Sequence, residues 1–141
     1  MQLLKLPKFD IRIQDDKVFC IVRKKWVVLT PEEWVRQHFL NLLINHLDYP
    51  QGLMRLEQTH QYFKNSKRSD IVVLDRESDI FLIVECKAAS IAIDGKVVRQ
   101  VSEYNKVLKS KYIAVTNGLS NFIWENNGEK YVQLSSFPRY Y

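Results

Sequence analysis

Asp70 stands at the entry to an apolar run, Asp70-Ile-Val-Val-Leu74, and a second run, Phe81-Leu-Ile-Val-Glu-Cys-Lys87, closes on Glu85 and Lys87. Both read as β-strands. Side chains alternate along a strand, so Glu85 and Lys87 share one face while Val84 and Cys86 share the other. A strand reading Phe-Leu-Ile-Val belongs in a sheet interior, where an unpaired carboxylate costs several kcal/mol or takes up a proton. Something must compensate these acids. A divalent cation gripped by Asp70 and Glu85, with Lys87 beside it, is the compensation that also makes a reaction centre. The bland counterpart is a structural ion pair between neighbouring strands, common on exposed faces. The apolar flanks of both runs favour the site.

The elements that must position these residues can be read from periodicity. Residues 9 to 29 alternate as two strands, Phe9, Ile11 and Ile13, then Val18, Cys20 and Val22, joined at Asp15-Asp16 into an N-terminal hairpin. Thr30-Pro31-Glu32-Glu33 is a helix start, with Thr30 as N-cap, Pro31 in the first turn and Glu33 closing a capping box. The helix is predicted to run to about Leu47, with Val35, Phe39, Leu42, Leu43, His46 and Leu47 on its apolar stripe and Leu40 and Ile44 widening it. Arg36 falls inside that stripe and must either snorkel or pair with a carboxylate. Leu53 to Phe63, Ile71 to Leu74 and Ile80 to Val84 form an antiparallel meander with short links. Beyond a connector, Val97, Val101, Tyr104 and Leu108 share a helical face, predicting a second helix to about Lys109. Tyr112 to Thr116 is a buried strand, and residues 122–124 and 131–134 make a C-terminal hairpin at a sheet edge.

At 141 residues, 46% of them hydrophobic, the chain suits one compact domain with a real core. Net charge is +5. Lys96, Arg99, Lys106, Lys109 and Lys111 against Glu103 make one stretch distinctly basic, which tolerates or attracts polyanions. The two cysteines, Cys20 and Cys86, lie inside predicted strands without C-x-x-C spacing, so they read as core residues of a reducing compartment. They and the three histidines show no zinc-ligand spacing. The N-terminal Met-Gln-Leu-Leu-Lys-Leu-Pro does not resemble a signal peptide and no run approaches a membrane span, so the expected location is cytoplasmic. No G-x-x-x-x-G-K-[ST] is present, which excludes a nucleotide-driven motor from this sequence.

The order of the motifs carries more than any one of them. Thr30-Pro-Glu-Glu-Trp-Val-Arg-Gln37, Ser69-Asp-Ile-Val-Val73, Ile83-Val-Glu-Cys-Lys87 and Gln100 through Asn105 together resemble the PD-(D/E)XK nuclease superfamily. More narrowly they are similar to proteins related to the N-terminal nuclease domain of type I restriction R subunits, over roughly residues 30 to 125. The resemblance implies an α/β fold with a restriction-endonuclease-like core, a central mixed β-sheet flanked by helices. Residues 1–29 would be an N-terminal hairpin extension, 30–125 the core and 126–141 a C-terminal strand extension. It implies hydrolysis of DNA phosphodiesters with Mg²⁺, for which Mn²⁺ would substitute. Asp70 and Glu85 would be metal ligands and Lys87 the lysine of the motif. Ser69 stands where the superfamily's name has proline, a residue that supplies chain direction rather than chemistry.

Two carboxylates plus a substrate phosphate suffice for magnesium, which keeps several waters. Lys87 would orient water or neutralise a phosphate oxygen, roles that neighbouring carboxylates favour over proton abstraction. In the resembled family Gln100 helps shape the site and Tyr104 packs beneath it; otherwise they are a boundary glutamine and a core tyrosine. Glu33 is first a capping residue and second a metal or water contact. Lys64, Lys67 and Arg68 are a solvated turn or, with Lys96 and Arg99, phosphate contacts without sequence reading. Partners implied are DNA and a second copy or a larger restriction or repair assembly, with neither membrane nor nucleotide. The rival from another class is a nucleic-acid binding or assembly module that keeps the fold without hydrolysis.

Overall fold

The computed structural model describes residues 2–59 and 68–140. Strands β1 (Ile13–Gln14), β2 (Lys17–Cys20) and β3 (Lys25–Val28) form a small antiparallel sheet. The Asp15-Asp16 turn is where periodicity puts it. The hairpin gains a third strand, however, and Phe9 and Ile11 lie outside it. Lys25 to Val28 carries one polar residue before three apolar ones, too little alternation to reveal a strand without its partner.

Helix α1 (Pro31–Asn41) starts on Thr30, whose Oγ1 accepts the Glu33 N–H at 3.0 Å. The expected box is only half closed, because the Glu33 carboxylate turns toward Arg36 and Gln37 instead. From Leu42 to His46 the helix loosens into a π turn. The wider turn rotates the stripe, so Leu43 stays buried while His46, expected on the apolar face, is exposed.

The main sheet has six strands in the order β4 (Met54–Thr59), β5 (Arg68–Leu74), β6 (Ile80–Cys86), β7 (Tyr112–Thr116), β8 (Asn121–Asn126) and β9 (Tyr131–Leu134). Strands β4, β5 and β6 are the expected antiparallel meander. Strand β7 runs parallel to β6, which requires a crossover. Helix α2 (Gly95–Leu108) supplies it, started by Asp94 accepting from the Lys96 and Val97 N–H groups at 3.1 Å each.

One face of the sheet, with Ile71, Val73, Leu82, Val84 and Cys86, packs on Val35, Phe39 and Leu40 of α1 and on Leu43 of the π turn after it. The other, with Ile83, Ile113 and Val115, is covered by Val97 of α2. Strands β8 and β9 form the expected C-terminal hairpin at the sheet edge, and the described residues beyond them are not strand. After β9 the chain folds back: Phe137 meets Phe39, and Tyr140 donates its N–H to Leu47 O and its hydroxyl to Leu74 O. Among the described residues no helix is long and apolar enough to cross a membrane.

Candidate metal centre

The register of β5 against β6 pairs Ile71 with Val84, so one step toward the strand ends brings Asp70 opposite Glu85. The Cys86 N–H donates to Asp70 Oδ2 at 2.7 Å, which ties the carboxylate to the end of β6. Lys87 Nζ stands 3.6 Å from Glu85 Oε1, and its N–H donates to Thr116 O of β7. The structure thus brings together the acid pair and the amine singled out by their spacing. All three side chains are largely buried, at 15%, 16% and 26% exposure for Asp70, Glu85 and Lys87.

Strand β4 adds a carboxylate, Glu57, that no spacing along the sequence singles out. Leu56 pairs with Ile71 and Gln58 with Ser69, which leaves Glu57 beside Asp70. Its φ of 52° lies in the left-handed region, unusual for a residue with a Cβ. Its oxygens reach Arg23 at 2.9 Å and Arg36 at 3.4 Å. Arg36 is the hub: its Nε donates to Glu33 Oε2 at 2.9 Å, its Nη2 also bonds Glu33 Oε1, and its Nη1 lies 4.0 Å from Asp70 Oδ1. Gln37 donates to Glu33 at 2.9 Å and accepts the Ile21 N–H at 3.2 Å. Of the two outcomes the apolar stripe allowed for Arg36, pairing prevails. A cavity of about 490 Å³ opens beside this network, with Arg23, Val28, Glu32, Arg36 and Glu57 among its walls.

Burial pushes the Asp70 carboxyl up to about 6, against the Cys86 N–H bond and the Arg36 and Lys87 charges that pull it down. Glu85 is pushed to about 8, first by burial and then by the Asp70 charge, with Lys87 offsetting part of it. Glu32, exposed in the first turn of α1, raises both. Burial acts on Glu33 in the same direction, yet the Arg36 and Gln37 bonds hold it below the usual carboxylate range. Two acids that resist ionisation side by side are what a bound cation would relieve. Among the described residues no group of three or more His, Cys, Asp or Glu side chains is placed to hold a metal. A carboxylate pair such as Asp70 and Glu85 could hold a hard ion like magnesium, which uses one or two carboxylates and completes its shell with water and phosphate.

These shifts have a testable sign. The two carboxyls ionise near their ordinary values of 3.8 and 4.5 when unfolded and near 6 and 8 when folded. In that interval the native state binds more protons, so their contribution is full below about pH 4 and is lost as pH climbs through about 8. Glu33, and His38 held down by burial, slope the other way. The thermal midpoint of metal-free wild type should therefore fall relative to Glu85→Gln between about pH 5 and pH 8. A constant difference would refute the burial argument.

Other expected site residues lie elsewhere. Gln100 is exposed on α2, as are Lys96 and Arg99, and no described hydrogen bond joins Gln100 to the acid pair. Lys64 and Lys67, and the side chains of Arg68 and Tyr104, lie outside the described residues.

Residues 31–138 match the family described as type I restriction enzyme R protein N terminus. The chain belongs to this family. Among solved structures, the R-protein N-terminal fold is shared with a fragment assigned as an HsdR subunit of a type I restriction enzyme from Vibrio vulnificus YJ016. That match has 19% identity and a TM-score of 0.59 over 79% of this chain. The chain spans 24% of the length of that structure. No curated protein matches in sequence. The R-protein N-terminal family match covers α1, both sheet faces and the acid pair, and begins after the three-stranded sheet.

Proposed function

We propose that the chain is a Mg²⁺-dependent DNA endonuclease of the PD-(D/E)XK type, working within a larger restriction assembly. The observation that carries this reading is Asp70 beside Glu85 on adjacent strands with Lys87 at 3.6 Å from Glu85. In support of this reading, the helix, antiparallel meander and second helix around them follow the order of the resembled motifs along the sequence. Asp70 and Glu85 would hold the metal, which when bound activates water and stabilises charge on the phosphate in flight. Lys87 holds a positive charge where phosphate oxygen gains negative charge. Arg36 keeps Asp70 in place from the other side, and Glu33 and Glu57 fix Arg36. Glu33 acts here as a positioning residue, with a role for Gln100 requiring substrate to bridge from α2.

A second reading, a binding module without turnover, is favoured by Arg36 already standing 4.0 Å from Asp70 as a counter-charge. One assay separates the two. Plasmid, linear duplex, single-stranded and branched DNA are incubated with Mg²⁺, Mn²⁺ or chelator, using wild type, Asp70→Ala and Lys87→Ala. Metal-requiring cleavage by wild type, lost in both variants, is the expected result. Equal cleavage by all three proteins, or none on any substrate, overturns the nuclease reading.

A further inference from the structure

The turn between β2 and β3 lies outside the family-matched residues, yet it carries an arginine into the network around Asp70. This turn is clamped from two sides. The Ile21 N–H donates to Gln37 Oε1 of α1 at 3.2 Å, and the Gln51 side chain donates to Ile21 O. Within the turn the Arg23 N–H reaches back to Cys20 Sγ at 3.4 Å. Arg23 therefore leaves a fixed backbone, and its side chain is 21% exposed. It walls the cavity of about 490 Å³ together with Glu32, Arg36, Glu57 and Ala88, the residue that follows Lys87. From Arg23 to the acid pair the charges alternate. Arg23 Nη2 lies 2.9 Å from Glu57 Oε2, Arg36 Nη2 lies 3.4 Å from Glu57 Oε1, and Arg36 Nη1 lies 4.0 Å from Asp70 Oδ1. The links lengthen inward, so Glu57 is held first by Arg23 and more loosely by Arg36.

We propose that Arg23 is a positioning residue that restrains the cation affinity of the acid pair, acting through Glu57 and Arg36. While Arg23 holds Glu57, the Arg36 guanidinium keeps charge for Asp70, and that charge opposes a cation at the same carboxylate. Without Arg23, Glu57 turns wholly to Arg36. Asp70 then loses part of its counter-charge and is freer to take a cation. A merely structural brace predicts the opposite sign, because loosening Glu57 and Arg36 would disorder Asp70 and weaken the site. The Arg23 and Glu57 side chains are 21% and 39% exposed, and a pair this accessible adds little to stability. Its effect lies in where charge stands. The consequence is a centre that holds a cation weakly until substrate phosphate adds its oxygens to the shell. The inference deepens the metal reading of Asp70 and Glu85 and rests on it, although Arg23 itself precedes the family-matched residues.

The test follows the melting temperature of the full chain across a Ca²⁺ titration without DNA, at constant ionic strength so that screening stays the same at every point. The half-saturating Ca²⁺ concentration should fall about five-fold in Arg23→Ala and rise about five-fold in Glu57→Gln. Arg23→Lys, which keeps the charge, should stay near wild type. In the Glu57→Gln background, Arg23→Ala should move the midpoint by about two-fold at most, because the link that carries its effect is gone. Weaker or unchanged Ca²⁺ binding in Arg23→Ala, or the full tightening in the Glu57→Gln background, overturns the proposal. Glu85→Gln separates this failure from that of the metal reading. A Ca²⁺ response that Glu85→Gln reduces but Arg23→Ala leaves unchanged removes the proposal alone; no response, or one that Glu85→Gln leaves intact, removes the metal reading and the proposal with it.

Discussion

Glu85→Gln should lower metal-dependent cleavage by about 100-fold or more, the scale on which one charge-stabilising group contributes to a reaction. The amide has nearly the shape of the carboxylate but no charge, so a cation loses one of its two anionic anchors while β6 keeps its pairing with β7 through Cys86 and Thr116. Glu85 is 16% exposed and resists ionisation, so the substitution also removes a charge that burial penalises. Loss of cleavage should therefore coincide with a protein that melts no earlier than wild type at about pH 8 without metal. Added Ca²⁺, a hard cation of the same ligand preference, should raise the melting temperature of wild type more than that of the variant. A variant that cuts as fast as wild type, or that gains equal stability from the ion, would show that Glu85 holds no metal.

Arg36→Ala is expected to cost about 3–5 kcal/mol, the range for breaking a buried ion pair by removing one partner. Its guanidinium and the Glu33 carboxylate are 8% and 5% exposed, and alanine would leave Glu33 buried with Gln37 as the donor that remains to it among the described residues. Asp70 and Glu57 would lose their shared cation as well. In a chain of this size the melting temperature should drop by about 10–17 °C. Removing both charges should recover most of the loss, so Glu33→Gln combined with Arg36→Met should melt well above Arg36→Ala. The loss should persist in high salt, because a buried pair is poorly screened. A drop of less than about 1 kcal/mol would place the network in solvent rather than in the interior.

What could be read directly from the sequence was local. The Thr30-Pro31 start of α1, the alternation of β5 and β6, the Tyr112 to Thr116 strand and the offset of Glu85 from Lys87 all depend on neighbours a few residues away, which the chain order itself specifies. The adjacency of Asp70 and Glu85 was legible because a short link between antiparallel strands forces the register. Tertiary structure alone decided the rest. Glu57 joins the network only because β4 pairs with β5 and its backbone takes a left-handed turn, neither of which leaves a signal in a strand of mixed polarity. Arg36 could be seen as out of place on an apolar stripe with Glu33 one turn before it, but its other partners, Glu57 and Asp70, come from β4 and β5, and pairings across that distance have no periodicity. The same holds for the tail that returns Tyr140 to the core. Spacing along the chain governs contacts within a turn or a hairpin; contacts between distant segments are set by which buried surfaces and charges satisfy one another once the chain has folded.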